Sequence, residues 1–133
     1  MPASLRGPRV AVDGIVTREG RIVAVIRGNE PFRGRAALPG GFVELGERAE
    51  DAVVREVREE TGLEARVVRL VGVYSDPSRD PRGHVLSVVY ELEAVRGALA
   101  AGSDAARVIL VDPDAPPAMA FDHARILADW RGR

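Results

Sequence analysis

The chain has 133 residues, of which 46% are hydrophobic and 29% are charged, and its formal net charge is -1. Such a chain is expected to be globular, with one domain spanning residues 1–133 around a buried core. The balanced charge argues against a nucleic-acid-binding protein, and the lack of a long apolar run argues against a membrane protein. Without cysteine the chain has no disulfides or thiolate metal sites, and we expect a cytoplasmic location.

The first part of the chain predicts a β-hairpin followed by a basic loop. Residues 9–17 alternate well enough to predict a strand, residues 21–27 predict a second one, and residues 18–20 predict the hairpin turn between them. The loop that follows is rich in Gly, Pro and Arg and leads to a turn at residues 39–41. Its arginines are either ordinary surface charge or contacts for an anionic substrate, and they are Arg27, Arg33 and Arg35.

A helix is predicted in the second half of the stretch from residue 41 to residue 63. Ala49, Ala52, Val53 and Val57 recur at spacings of three and four residues, which is the period of a helix with one apolar face. Gly62 follows as a C-terminal stop. Acidic residues gather around the helix start, where the helix dipole favours negative charge.

Three carboxylates are expected on one face of this helix. Glu56, Glu59 and Glu60 stand at positions i, i+3 and i+4, about one turn apart. Their mutual repulsion favours a positive partner, and Mg²⁺, which prefers oxygen ligands and retained waters, suits them. Arg55 is placed to pair with Asp51 and Glu59 and to hold the carboxylates in register. The glycine turn before the helix would let a backbone carbonyl approach a metal or a phosphate closely.

The rest of the chain predicts three strands and a closing helix. Residues 65–74 and 84–95 are predicted strands, separated by a loop with two prolines and a glycine, and residues 107–111 predict a short buried strand. Residues 119–130 predict a helix. Its expected core side chains are Phe121, Ile126, Leu127 and Trp130. On the residues alone, the fold class is α+β.

The stretch from residue 41 to residue 63 resembles the Nudix box without a gap or a substitution. The matching residues are Gly41, Glu47, Arg55, Glu56, Val57, Glu59, Glu60, Gly62 and Leu63. A chance match to the whole pattern is on the order of 10⁻⁵ or rarer, although a solvated acidic helix with its own ion pairs is the alternative reading. The resemblance extends over about residues 10–127, where the chain is similar to small prokaryotic ADP-ribose pyrophosphatases. It implies an α/β/α sandwich, with a mixed β-sheet between helices.

The resemblance implies a hydrolase that uses Mg²⁺, or Mn²⁺, to cleave nucleoside diphosphates linked to another group X. The metal ligands it implies are Gly40 (through its carbonyl), Glu56, Glu59 and Glu60. The catalytic residues it implies are Arg55, Glu56, Glu59 and Asp104, oriented by Glu47. For Asp104 the alternative is an ordinary loop residue.

Other positions bear on the substrate. Pro77 lies shortly past the box, where the family carries its marker for ADP-ribose preference. Arg79 and Arg82 in the same loop would contact phosphate or ribose, within one subunit or from the partner in a homodimer. The chain departs from its relatives at Ala36, where they usually have Trp, and at Arg107, where they often have Glu. The remaining polar candidates are interpreted as structural, with capping and packing expected of the last two: His84, Asp122 and His123.

Three functions from different classes remain open. The first is hydrolysis of ADP-ribose to AMP and ribose 5-phosphate, with a small nucleotide as substrate. The second is a nucleotide-pool sanitising hydrolase that cleaves damaged nucleoside triphosphates. The third is a non-catalytic sensor of a nucleotide metabolite. The complete acidic set of the box argues against the sensor, since a pure binding protein has no need of it.

Overall fold

The computed structural model describes residues 7–102 and 105–132. Within these ranges the chain forms, in order, β1 (Arg9–Arg18), β2 (Arg21–Arg27), β3 (Ala36–Ala37), β4 (Gly40–Phe42), α1 (Ala49–Thr61), β5 (Glu64–Tyr74), β6 (Val85–Arg96), β7 (Ala105–Val111) and α2 (His123–Arg131). Neither helix of this described part is long and apolar enough to cross a bilayer.

The strands form one mixed sheet with β1 at its centre. β1 pairs in parallel with β6 and antiparallel with β2 and β4, and β5 pairs antiparallel with β6. β3 and β7 both pair with β2. The parallel pair brings the starts of β1 and β6 to the same edge of the sheet, and the short β4 lies beside that end of β1.

The alternation of side chains along β1 assigns one face of the sheet to each helix. Val12 and Val16 belong to a buried cluster with Val53 and Val57 of α1. The intervening Ile15 belongs to a second cluster with Ile126 and Leu127 of α2. The sheet therefore lies between the two helices, and the predicted α/β/α sandwich is confirmed.

Helix α1 follows its predicted pattern closely. Ala52, Val53 and Val57 are completely buried, and Ala49 packs at the border of the same cluster. Gly62 adopts a left-handed conformation with φ of 79°, and its N–H donates to the carbonyl of Arg58. The predicted glycine stop is thus confirmed, because this conformation is strained for any residue with a Cβ.

Two predictions of local structure were wrong. Helix α2 begins at His123 rather than at residue 119, because Met119 forms a bridge to Ala36 and Phe121 has a positive φ of 51°. The predicted turn at residues 39–41 is replaced by strand β4. Gly40 permits this pairing, since a Cβ at that position would collide with the Val12 carbonyl and the Asp13 carboxylate.

Strand β7 begins earlier than predicted and is less buried. Among the side chains that the structure describes in this strand, Val111 is buried, while Arg107 is exposed and the others are half-buried. It pairs with β2 along the edge opposite to β3, since Val25 and Ile26 of β2 pair with both strands. We predicted a buried strand because its residues are mostly apolar. A strand at the edge of a sheet can have the same composition while only one of its faces is buried.

Candidate active site

A cavity of about 650 Å³ lies beside the N-terminal half of β1. Its wall is built from β1, β2, β4, α1, the loop after β5 and the residues at the start of α2. The polar and aromatic side chains that line it are Arg9, Asp13, Arg27, Asn29, Glu30, Phe42, Glu44, Arg55, Glu56, Glu60, Arg79, Asp80, Arg82, Phe121 and His123.

One wall of the cavity carries two carboxylates of α1 against the glycines of β4. The Gly40 N–H donates to Glu60 Oε2 at 3.2 Å. The carboxylate of Glu56 lies so close to Gly41 that a Cβ there would overlap its oxygens and carboxyl carbon. The two glycines thus let β4 lie directly against the acidic face of the helix, which is the physical reason for glycine at both positions.

Arg55 joins the carboxylates of this region. Its guanidinium donates to Glu47 at 2.7 and 3.0 Å, to Glu56 at 2.7 Å, and to the Phe42 carbonyl at 3.2 Å. The hydrogen bond to Glu47 is the main cause that raises the pKa of Arg55 above its ordinary value. In return, hydrogen bonds from Arg55 and from the Glu44 backbone hold the pKa of Glu47 below its ordinary range. Glu47 therefore orients Arg55, and Arg55 orients Glu56.

Glu59 lies outside the cavity lining, unlike the other two carboxylates. It accepts a hydrogen bond from Arg55 at 3.2 Å, but its side chain is 54% exposed. The helical period explains this, since residues i and i+4 differ by about 40° around the helix axis whereas neighbours differ by about 100°. The expected pairing of Arg55 with Glu59 is present, while its strongest pairing is with Glu47 rather than the expected Asp51.

Arginines from outside α1 also line the cavity. Arg27 and Arg82 line it together, and burial followed by the charge of Arg82 lowers the pKa of the Arg27 guanidinium. Arg79 also lines it, but this side chain is 4% exposed and is paired through two hydrogen bonds, at 2.9 and 2.6 Å, with Asp122. Burial alone would raise the pKa of Asp80, but hydrogen bonds from Arg82 outweigh it and hold that pKa below its ordinary value of 3.8.

Aromatic rings flank these arginines. The Arg82 guanidinium carbon lies 5.4 Å from the Phe42 ring centre and 5.6 Å from that of Phe121. The Arg27 guanidinium lies 5.1 Å from the Phe121 ring, and Arg9 covers Phe42 at 3.5 Å. Flat apolar faces next to cationic groups are suited to a ligand that combines a ring with a negative charge.

The structure does not bring every predicted residue to the cavity. Arg33 and Arg35 are exposed, and Pro77 is exposed although its loop supplies Arg79 and Arg82. Ala36 is buried in β3, and Asp104 lies outside the described residues. His84 closes its loop through a 3.0 Å contact between Nε2 and the Ser75 carbonyl.

Sequence reasoning missed a buried polar cluster at the base of the cavity. Asp13 from β1 and His123 from α2 line the cavity, and Ser87 from β6 donates a hydrogen bond to Asp13. Asp122 does not cap α2 through its side chain, because that carboxylate is bound to Arg79. The sequence contained one sign of this cluster, a single aspartate within the apolar run of β1. A buried aspartate needs a polar partner, so a partner could have been predicted.

The donor chemistry of the acidic wall fits a divalent cation. Across the described ranges, no group of three or more His, Cys, Asp or Glu side chains is arranged to hold a metal ion by itself. Mg²⁺, however, is usually bound by one or two carboxylates together with substrate phosphates and water. Glu56 and Glu60 provide two carboxylates on the cavity wall.

Comparison with known proteins identifies this arrangement. The family model described as the NUDIX domain matches residues 7–130. The chain belongs to the Nudix family. A curated relative, the ADP-ribose pyrophosphatase of Methanocaldococcus jannaschii, is 53% identical over 123 residues, which are 92% of this chain and 73% of that enzyme.

Solved Nudix structures share the fold. The NUDIX domain of Shewanella oneidensis NrtR, solved as a complex with ADP ribose, matches the whole chain and 92% of that domain with a TM-score of 0.86 and 26% identity. A bifunctional NMN adenylyltransferase/ADP ribose pyrophosphatase from Francisella tularensis, complexed with AMP and a Mn ion, matches 98% of this chain with a TM-score of 0.83 and 25% identity. This chain spans 43% of that protein.

These relationships make the chain a Nudix pyrophosphohydrolase. Enzymes of this family generally use divalent metal ions, in line with the Mn ion in the Francisella protein. The Nudix helix is α1, and its acidic face forms one wall of the cavity.

Proposed function

We propose that this Nudix domain hydrolyses ADP-ribose to AMP and ribose 5-phosphate in a reaction that depends on Mg²⁺. The observation that carries the proposal is that carboxylates of the Nudix helix and arginines from other elements line one cavity. The carboxylates are those of Glu56 and Glu60, and the arginines include Arg27 and Arg82. A diphosphate in this cavity would face cationic side chains directly and the carboxylates through a metal ion.

In this mechanism, residues of the chain bind the substrate phosphates and orient the carboxylates of α1. Arg27 and Arg82 neutralise phosphate oxygens, which carry the charge that must be stabilised in the transition state. Arg55 and Glu47 fix the carboxylate of Glu56 through the hydrogen bonds described above. Gly40 fixes the carboxylate of Glu60.

The reaction adds one water across the bridged diphosphate. The water oxygen forms a bond to one phosphorus, and the bond from that phosphorus to the bridging oxygen breaks. The bridging oxygen leaves with the other phosphate, and the protons of the water are released or shared between the two products. Glu56 and Glu60 would hold Mg²⁺, whose chemistry is to polarise the phosphates and lower the pKa of a bound water. Glu59 and Asp104 are the predicted candidates for the base that takes the proton from this water.

The substrate assignment rests on likeness together with the shape of the site. The Methanocaldococcus relative is an ADP-ribose pyrophosphatase, and the Shewanella domain was solved with ADP ribose. In this chain, the rings of Phe42 and Phe121 lie beside Arg82 in the cavity lining, where a nucleotide base could stack. A cytoplasmic location and a homodimer remain predictions from the sequence.

A substrate panel tests the proposal. The protein would be incubated with Mg²⁺ and, separately, with ADP-ribose, NADH, dinucleoside polyphosphates and oxidised dGTP, and the products would be resolved by chromatography. We expect AMP and ribose 5-phosphate from ADP-ribose at a kcat/KM well above the others. Preferred cleavage of the oxidised triphosphate would replace the proposal with a nucleotide-sanitising function, and tight binding without turnover would replace it with a sensor.

A further inference from the structure

Three buried polar side chains lie beneath the cavity, outside the Nudix helix. Asp13, Ser87 and His123 are 8%, 0% and 3% exposed. They come from β1, β6 and the first residue of α2, so they are distant in sequence. The parallel pairing of β1 with β6 aligns Ala11 with Ser87 and Asp13 with Val89, and the α2 side of the sheet receives both polar side chains. Burial of three polar groups requires that each has a partner.

The partners form a chain of contacts that ends on the backbone. The Ser87 hydroxyl donates to Asp13 Oδ2. Asp13 Oδ1 lies 3.7 Å from Nε2 of His123. On the other side of the ring, the Leu38 N–H donates to His123 Nδ1 at 3.0 Å. An acceptor nitrogen carries no proton, so the neutral ring has its N–H at Nε2, directed toward Asp13.

The backbone segment held by His123 is the one that meets the Nudix helix. Two residues after Leu38, the Gly40 N–H donates to Glu60 at 3.2 Å. Between them, the Pro39 carbonyl accepts a hydrogen bond from the Gly14 N–H at 2.8 Å, next to Asp13. The segment from residue 38 to residue 40 is therefore fixed at Leu38 by His123 and at Pro39 by β1. Its last residue, Gly40, donates a hydrogen bond to Glu60.

We propose that His123, packed beside the hydrogen-bonded pair of Ser87 and Asp13, is a positioning residue that sets the backbone of residues 38–40 and, through Gly40, the carboxylate of Glu60. The proposal depends on the proposed function only for its kinetic readout. His123 acts here through Leu38 rather than on the substrate. Its loss should lower kcat more than it raises KM, since the carboxylate of Glu60 loses its orientation while Arg27 and Arg82 are unchanged.

Two substitutions test the roles of the two ring nitrogens of His123 one at a time. His123→Asn retains an acceptor near the position of Nδ1 and loses the reach toward Asp13. His123→Gln reaches the position of Nε2 and loses the acceptor for Leu38. We expect kcat of His123→Gln to fall by about 10- to 100-fold with KM nearly unchanged, and kcat of His123→Asn to lie well above it. The matched control is Arg125→Gln, an exposed position on the same helix, which should behave as the wild type.

Nuclear magnetic resonance provides a readout that needs neither substrate nor metal. In the wild type, a scalar coupling across the hydrogen bond between the Leu38 amide nitrogen and His123 Nδ1 is expected, together with slow exchange of the Leu38 amide proton. In His123→Gln the exchange of that proton should accelerate. If His123→Gln does not fold, as judged by thermal unfolding, the milder Ser87→Ala takes its place, with a smaller loss of kcat in the same direction.

The outcomes distinguish this proposal from the proposed function. A wild type that lacks the coupling, or that has its proton on Nδ1, overturns the positioning role even if the enzyme is active. Equal kcat for folded His123→Gln and His123→Asn overturns it as well. A protein that shows the coupling but cleaves no diphosphate overturns the proposed function while the contact from His123 to Leu38 stands.

Discussion

The carboxylate of Glu56 rests directly on the backbone of Gly41, in the space that a Cβ would occupy. This contact explains why the acidic face of α1 can lie against a strand at all. It predicts that Gly41→Ala pushes the Glu56 carboxylate out of place. Because a displacement of about 1 Å at a reacting site can cost roughly 10²-fold, we expect kcat/KM to fall by about 10²-fold or more. Steady-state kinetics with ADP-ribose would measure the loss.

Gly72→Ala is the control for that substitution. Gly72 also lies in a strand, but a Cβ added there would have Tyr74 Cε2 as its nearest neighbour at 3.6 Å, which is an ordinary contact. Activity of Gly72→Ala should remain near that of the wild type. If Gly41→Ala were equally active while folded, the packing of Glu56 on Gly41 would have no part in catalysis.

Arg55→Lys tests the hydrogen-bonded group that Arg55 forms with Glu47 and Glu56. Lysine keeps the charge but cannot donate to both carboxylates and to the Phe42 carbonyl from one planar group. Loss of such an orienting partner typically costs about 10- to 100-fold, and we expect a fall of that size in kcat. Arg58→Lys on the same helix is the comparison, and a similar fall in both variants would argue against a specific role for Arg55.

Arg27→Gln should weaken substrate binding. A hydrogen bond to a charged group contributes about 1.5–3 kcal/mol, so KM for ADP-ribose is expected to rise by about 10- to 100-fold. Arg33→Gln serves as the control, because Arg33 is exposed and outside the cavity lining. The opposite pattern, with Arg33→Gln raising KM and Arg27→Gln leaving it unchanged, would place the phosphates elsewhere.

Asp80→Asn tests how the loop after β5 is held. The folded-state pKa of Asp80 is below its ordinary value of 3.8, so the ionised form stabilises the fold. That contribution is fully present above pH 3.8 and is lost as the pH falls through the lower, folded-state pKa. The wild type should therefore have a higher Tm than Asp80→Asn at pH 7, and the difference should shrink in strong acid. A Tm difference that stays constant from pH 7 to the acid range would contradict the pairing of Asp80 with Arg82.

The Nudix helix was predictable because its signals are local. The period of Ala52, Val53 and Val57, the stop at Gly62 and the spacing of the glutamates all lie within one short stretch. The core strands were predictable for the same reason, since each one is a local apolar stretch bounded by turn or loop residues. Strands β3 and β4 were missed because two or three residues cannot show a period, and their strand character depends on β2 and β1.

The rest of the site depends on contacts between distant parts of the chain. His123 meets Leu38 across 85 positions, and Ser87 meets Asp13 across 74. A sequence shows such residues only as single polar side chains within or beside apolar segments. The helical period separates Glu59 from Glu60, but it does not say which of the two faces the cavity, because that depends on which side of α1 the strand β4 covers.

The central claim is that the carboxylates of α1 hold a divalent cation against the phosphates of the substrate, and Glu60→Gln tests it most directly. Glutamine keeps the size of the side chain and an oxygen that can accept the Gly40 N–H, while it removes the charge and replaces the second carboxylate oxygen with an NH2 group. The rate of AMP formation from ADP-ribose would be measured over a Mg²⁺ titration, with Glu93→Gln, an exposed glutamate on β6, as control. The account predicts a fall of about 10²- to 10³-fold or more for Glu60→Gln alone. A folded Glu60→Gln protein that keeps most of its activity at ordinary Mg²⁺ concentrations would contradict it.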